Sequence, residues 1–195
     1  PKFLLVNKII LASQSPRRKQ LLEWAEVPFD IVVKETGESY PEGLTAEEVA
    51  VHIAKQKALA VQNDLPAGAI IVAADTIVVL GDSIIGKPKS REDAVAILAD
   101  LSGQKHRVIT GVCILQNDKE VNFSDTTDVV FHELSAAQIE FYIDKYKPYD
   151  KAGAYAIQEW IGVVGIKSVQ GDFYNVMGLP VSRVVRELEK LNPRP

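Results

Sequence analysis

The chain has 195 residues, 47% hydrophobic and 25% charged, a globular composition that argues against disorder and suits one domain, with two small lobes the upper limit. Lysine plus arginine number 22 against 26 aspartate plus glutamate, so the net charge of −4 gives no basis for a general nucleic-acid binder. One cysteine, Cys113, excludes an intrachain disulfide and suits a reducing cytoplasm. The opening PKFLLVNKIILAS, interrupted by Lys2, Asn7 and Lys8, is too short for a signal peptide or a membrane span.

Residues 9–13 read as a first strand. Ser15-Pro16 supplies an N-cap and a first-turn proline for a helix over 17–25. Residues 29–33 form a short strand that leads into the polar loop KETGESYPEG. Thr45 and Glu48 have capping-box spacing and open a helix to about Gln62. The strongest strand signal is 69–80, followed by a Gly81-Asp82 turn and the return strand SII. Ser90 caps a helix that Gly103 ends near Leu101. Residues 106–116 and 121–131 pair around Asn117-Asp118-Lys119, and Ser135 caps a helix to about Tyr146. Residues 161–169 and 173–177 return to strand, and a last helix covers 180–191. Helices and strands interleave throughout, so the expectation is one domain over 1–195 with a mixed α/β sheet.

Two segments carry the sharper chemistry. Ser13-Gln-Ser-Pro-Arg-Arg18 lies at a strand-to-helix junction, where the macrodipole disfavours cations by about 0.3–1 kcal/mol each. An anion over the free amides would reverse that penalty; the plainer reading leaves Arg17 and Arg18 solvated or paired with Glu23 or Glu26. Asp75-Thr76 sits inside an apolar strand, so the carboxylate needs a metal, a cation or several donors. The hairpin register sets Thr76 opposite Lys87 in Gly86-Lys87-Pro88; a plain Asp–Lys pair closing the hairpin is the structural alternative. Lys55 and Lys57, two apart on one helix, point in different directions. Residues 150–158, DKAGAYAIQ, pack small residues around Tyr155 and end on Gln158, allowing close backbone approach. His52, His106 and His132 share no metal-ligand spacing and read as surface or half-buried, Cys113 as a core residue, and Trp24, Phe141, Tyr142 and Trp160 as core or lobe-contact aromatics.

In this order, LASQSPRRKQLL, AKQKA, AADTIV, GKP, LSGQKHRVITGV, DKAGAYAIQ and NVMGLPV resemble the Maf family of nucleoside triphosphate pyrophosphatases, from residue 11 to beyond 180. The resemblance implies a twisted mixed sheet with flanking helices and two lobes, interleaved in sequence, around a cleft, as in the inosine triphosphatase group. It implies hydrolysis of dTTP and UTP to the monophosphate and pyrophosphate, with a divalent cation, Mg²⁺ or Mn²⁺, as cofactor. Asp75 is then the proton acceptor and, with Glu38, a metal ligand, although Gly37-Glu38 stands where many members have two adjacent acids. Ser13, Arg17, Arg18, Lys57 and Lys87 match phosphate-contacting positions, and Arg18, Thr76 and Gln158 match positions tied to base preference. The donor and acceptor of Gln158 suit the O4 and N3–H edge of uracil or thymine. The partners expected are a nucleoside triphosphate and, on the resemblance alone, a second copy as a homodimer, with no nucleic acid and no membrane. The alternatives are a broad housecleaning hydrolase of modified nucleotides and a nucleotide-binding regulator of cell division with weak turnover.

Overall fold

The computed structural model describes residues 7–192. Its strands β1 (Ile9–Leu11), β2 (Asp30–Ile31), β3 (Ile70–Leu80), β4 (Ser83–Ile85), β5 (Lys105–Gln116), β6 (Lys119–Phe131) and β7 (Ile166–Gln170) form one sheet in the order β2-β1-β3-β5-β6-β7, with β4 paired to β3. Both β2 and β3 run parallel to β1, with Leu11 beside Ile31 and Val72. Parallel strands are covered on both faces, and the runs IIL and IIVAA are accordingly buried throughout. The β3–β4 and β6–β7 pairs are antiparallel, the latter with a register shift between Val130 and Phe131. The sheet is therefore mixed and flanked by helices, as the alternating pattern requires.

By contact density the described residues fall into two units. The first holds residues up to Asp75, Thr110–Asp125 and the chain from Gly178; the second holds Thr76–Ile109 and Thr126–Met177. In the first unit, α1 (Pro16–Trp24) starts at Ser15, whose Oγ accepts from Arg18 N–H at 3.4 Å. Helix α2 (Ala46–Gln62) opens on the full capping box between Thr45 and Glu48. Its Ala54, Ala58 and Val61 pack on Ala12, Ile71, Ala73, Cys113 and Leu115, an apolar cluster in which each branched side chain contributes roughly 1.5–3 kcal/mol. The fit is close enough that a Cβ on Gly111 of β5 would lie 2.2 Å from the Ala50 carbonyl carbon. Helix α7 (Val181–Leu191) completes this unit.

In the second unit, Ser90 and Ser135 cap α3 (Arg91–Leu101) and α4 (Ala136–Tyr146). A bidentate Arg91–Asp144 pair at 2.7 and 3.0 Å joins the two helices.

Four expectations change in the structure. Residues 160–165 form a helix, α5 (Trp160–Gly165), before β7: Gly162 and Val163 N–H donate to the Glu159 carbonyl at 2.9 and 3.3 Å, and Gly162 lies against the Ile157 carbonyl where a Cβ would stand 1.7 Å away. Residues 173–177 form α6 (Phe173–Met177): the Asp172 carboxylate accepts from Tyr174 and Asn175 N–H and starts a helix. His106 is fully buried, while Trp24 and Phe141 are exposed; only Tyr142 of the expected core aromatics is fully buried. The β3–β4 ladder stops at Val78↔Ile85, so Thr76 and Lys87 are not ladder partners.

Candidate functional site

The parallel register ends β1 at Leu11 beside Val72 while β3 runs on to Leu80, so the carboxyl end of β1, the side on which open α/β sheets present ligand sites, opens beside the middle of β3. Ala12 N–H still donates to the Val72 carbonyl at 2.9 Å, which leaves Ser13 and Asp75 to emerge just beyond. Ser13 is buried, and its Oγ accepts from Ser15 N–H at 3.2 Å and from an Arg18 Nη at 3.3 Å. The Arg18 Nε donates to the Gly178 carbonyl at 2.7 Å. Arg18 is therefore a buried cation, neither solvated nor held by Glu23 or Glu26 as the plainer sequence reading allowed. Burial pulls its guanidinium down to about 10, opposed by the Asp75 carboxylate and assisted by Arg17, and it stays charged at neutral pH. Gly178 has φ +130°, a conformation that L side chains rarely adopt, and its bare Cα faces the Arg18 side chain at 3.6 Å from where a Cβ would stand.

Asp75 and Thr76 are both half-buried in the middle of β3, between runs that are fully buried. The partner of Asp75 is Lys57 of α2, with Nζ 2.7 Å from Oδ1 and side chains 21% and 13% exposed. Lys55 points elsewhere, to Glu120 at 2.8 Å, as the spacing on one helix demands. The structure thus selects the α2 lysine for Asp75 over a pair closing the hairpin. Arg17 is half-buried, and Glu38 lies on the exposed loop between β2 and α2. Among the described residues no three His, Cys, Asp or Glu side chains gather into a metal-binding group.

The second unit holds Thr76, Lys87 and Gln158, and it ties three separated stretches together. Gly153 N–H donates to the Gly86 carbonyl at 3.2 Å, next to Lys87. Gly153 has φ +71°, and a Cβ there would meet Val78 Cγ2 at 2.8 Å, so the segment docks its backbone onto β3 two residues past Thr76. Residues 153–157 are buried and the chain surfaces at Gln158, while Lys151 reaches Glu159 at 3.5 Å. Ala156 N–H donates to Tyr142 Oη at 3.1 Å, and Tyr155 Oη meets His106 Nε2 at 2.5 Å. Sequence reasoning assigned no part to the Gly178 carbonyl, Tyr142 or His106. The signals available were the glycine before Leu179-Pro180 and a histidine between Lys105 and Arg107 at the start of a long strand.

A helix-flanked mixed sheet, with the buried Ser13–Arg18 cluster and the Lys57–Asp75 pair just past the carboxyl end of β1, makes this an α/β protein. The fold matches that of a HAM1 protein from Coxiella burnetii, with a TM-score of 0.51 over 94% of this chain and 99% of that one at 13% identity, a likeness of fold alone. The family model described as Maf-like protein matches residues 8–191, and the chain belongs to that family. A relative from Cytophaga hutchinsonii is 54% identical over 186 residues, 95% of this chain and 85% of its own, and is named dTTP/UTP pyrophosphatase. One from Parabacteroides distasonis with the same name is 48% identical over 183 residues, 93% of this chain and 95% of its own. No helix among the described residues is long and apolar enough to cross a membrane.

Proposed function

We propose that this chain hydrolyses nucleoside triphosphates, dTTP and UTP in preference, to the monophosphate and pyrophosphate. The carrying observation is the Lys57–Asp75 pair, which lies on β3 past the carboxyl end of β1 and close enough to the buried Ser13–Arg18 cluster for the Asp75 carboxylate to act on the Arg18 guanidinium. The relatives from Cytophaga hutchinsonii and Parabacteroides distasonis, both named dTTP/UTP pyrophosphatase, support the choice of substrate.

Each side chain has a part that its chemistry suits. Arg17, Arg18 and Lys57 of the first unit offset the triphosphate charge and the charge developing on the leaving pyrophosphate. The Ser13 hydroxyl keeps a proton to donate after accepting twice. Asp75 accepts the proton of the attacking water, a contribution of the order of 10²–10⁴ in rate. Thr76 and Gln158 read the base, Gln158 through one donor and one acceptor on the pyrimidine edge.

The donor chemistry fits a hard divalent cation, Mg²⁺ or Mn²⁺. Lys57 takes Oδ1 of Asp75, which leaves Oδ2, and Glu38 is a second carboxylate of the same unit. One or two carboxylates with substrate phosphates is the usual holding set for such an ion, which when bound supplies positive charge to the phosphate oxygens.

Product analysis on a nucleotide panel tests the reading. The expected result is monophosphate plus pyrophosphate from dTTP and UTP, abolished by chelation and restored by Mg²⁺ or Mn²⁺. Orthophosphate as first product overturns the reaction class, and equal turnover of purine triphosphates overturns the assigned base preference.

A further inference from the structure

We propose that His106 is a positioning residue for base selection: through Tyr155 it pins the buried segment that presents Gln158. The inference rests on Gln158 as the base-reading residue and goes beyond it by naming what holds that residue in place.

His106 lies on β5 at 1% exposure, its ring stacked on Phe131 at 5.4 Å and meeting Tyr155 edge-on at 5.4 Å. Phe131 and Tyr155 close the triangle at 5.0 Å. Within this apolar cage His106 Nε2 and Tyr155 Oη share a 2.5 Å hydrogen bond, while His106 Nδ1 is buried with no hydrogen-bond partner. A core built for packing alone has no use for a histidine that leaves one ring nitrogen unsatisfied, because buried polar atoms are normally paired. The polar contact is spent on one residue, Tyr155, and burial lowers the imidazole to about 4 against the pull of Asp128, so it remains neutral.

Tyr155 stands between the two ends that matter. Two residues before it, Gly153 docks on Gly86 and Val78; one residue after it, Ala156 N–H is held by Tyr142 Oη. Three residues after Tyr155 the chain surfaces at Gln158. Gly153 and Ala156 fix where the backbone of this segment runs. The His106–Tyr155 bond fixes its rotation, because a tyrosine hydroxyl held at 2.5 Å does not let the backbone between Gly153 and Gln158 twist. Rotation, more than translation, decides which way the Gln158 amide presents its donor and acceptor.

The test compares Tyr155→Phe, His106→Gln, His106→Leu and Gln158→Ala in the full chain. The readouts are kcat and KM for UTP and GTP, competitive inhibition by inorganic tripolyphosphate, and thermal midpoint. Tyr155→Phe should lower the UTP-over-GTP ratio of kcat/KM by about three- to tenfold through the KM for UTP, with tripolyphosphate inhibition kept within about twofold. His106→Gln, whose amide can replace Nε2 as a partner for Tyr155, should keep the ratio that His106→Leu loses. A folded Tyr155→Phe with an unchanged ratio overturns the proposal, as does equal loss for UTP, GTP and tripolyphosphate. Should Tyr155→Phe fail to fold, equal ratios for His106→Gln and His106→Leu overturn it. A Gln158→Ala enzyme with an unchanged ratio removes the base-reading role itself, and the proposal with it. If Gln158→Ala shifts the ratio while the His106 and Tyr155 variants do not, only the pin is wrong.

Discussion

The Lys57 ammonium lies 2.7 Å from Asp75 Oδ1, joining the middle of helix α2 to the one carboxylate in the apolar run of β3. The approach depends on the small face of α2, where Ala50 and Ala54 are fully buried and Gly111 lets the helix backbone close on β5. Asp75→Asn keeps the shape and a hydrogen-bond acceptor for Lys57 but removes the proton acceptor. The expected outcome is a fall in kcat of at least about a hundredfold with an unchanged thermal midpoint. A kcat within about threefold of the parent would take Asp75 out of the proton-accepting role.

Arg18→Lys is not conservative here. The guanidinium uses Nε for the Gly178 carbonyl and an Nη for Ser13, two directions that one ammonium cannot reproduce from the same stem. Stability should drop by about 1–3 kcal/mol, read as a lower urea midpoint, because a buried carbonyl loses its donor. The KM for the triphosphate should rise more than kcat falls. An unchanged midpoint together with an unchanged KM would contradict the assignment.

Gly153→Ala faces two obstacles at once, φ +71° and a contact at 2.8 Å with Val78 Cγ2. The substitution should destabilise by about 1–3 kcal/mol and lower activity, since the segment carrying Gln158 must lift. Val78→Ala in the same chain removes the clash and leaves the strain. The double variant should therefore recover part of the stability that Gly153→Ala loses, a non-additive pair in a double-mutant cycle.

His106 makes stability depend on pH in a defined window. Burial lowers its folded value to about 4 from 6.5, with Asp128 opposing. Between those values the unfolded chain binds a proton that the folded chain refuses, so stability rises with pH. The contribution is full above about 6.5 and is lost as pH falls toward 4, amounting to about 3 kcal/mol. Urea midpoints between pH 7 and 4.5 should fall more steeply for the parent than for His106→Gln, which has nothing to titrate at that site. Parallel slopes would show that the imidazole is not the group responsible.

Much of the fold was legible in local chemistry. The caps Ser15, Thr45, Ser90 and Ser135 each act on an amide three residues away. The turn at Gly81-Asp82 set the register Leu80↔Ser83 as spacing required. The short helices were missed for the opposite reason. Phe173–Met177 has strand-like residues, and its start depends on Asp172, whose carbonyl is in turn held by Thr127 Oγ1 from another strand. Residues 160–165 open on the Glu159 carbonyl with Gly162 pressed on Ile157 where no Cβ fits, contacts no periodicity announces.

The sequence by itself determined the element order as far as α4, the starts of the side-chain-capped helices and the residue types of the candidate site, and its motifs pointed to the family. Those signals work over a few positions, where backbone and side chain meet whatever the rest of the chain does. Only the tertiary structure decided partners: that Arg18 is buried on the carbonyl of Gly178, 160 residues away, that Asp75 takes Lys57, and that His106 faces Tyr155. Such choices are made by packing, because a buried charge or ring nitrogen accepts whichever group the folded chain brings within about 3 Å.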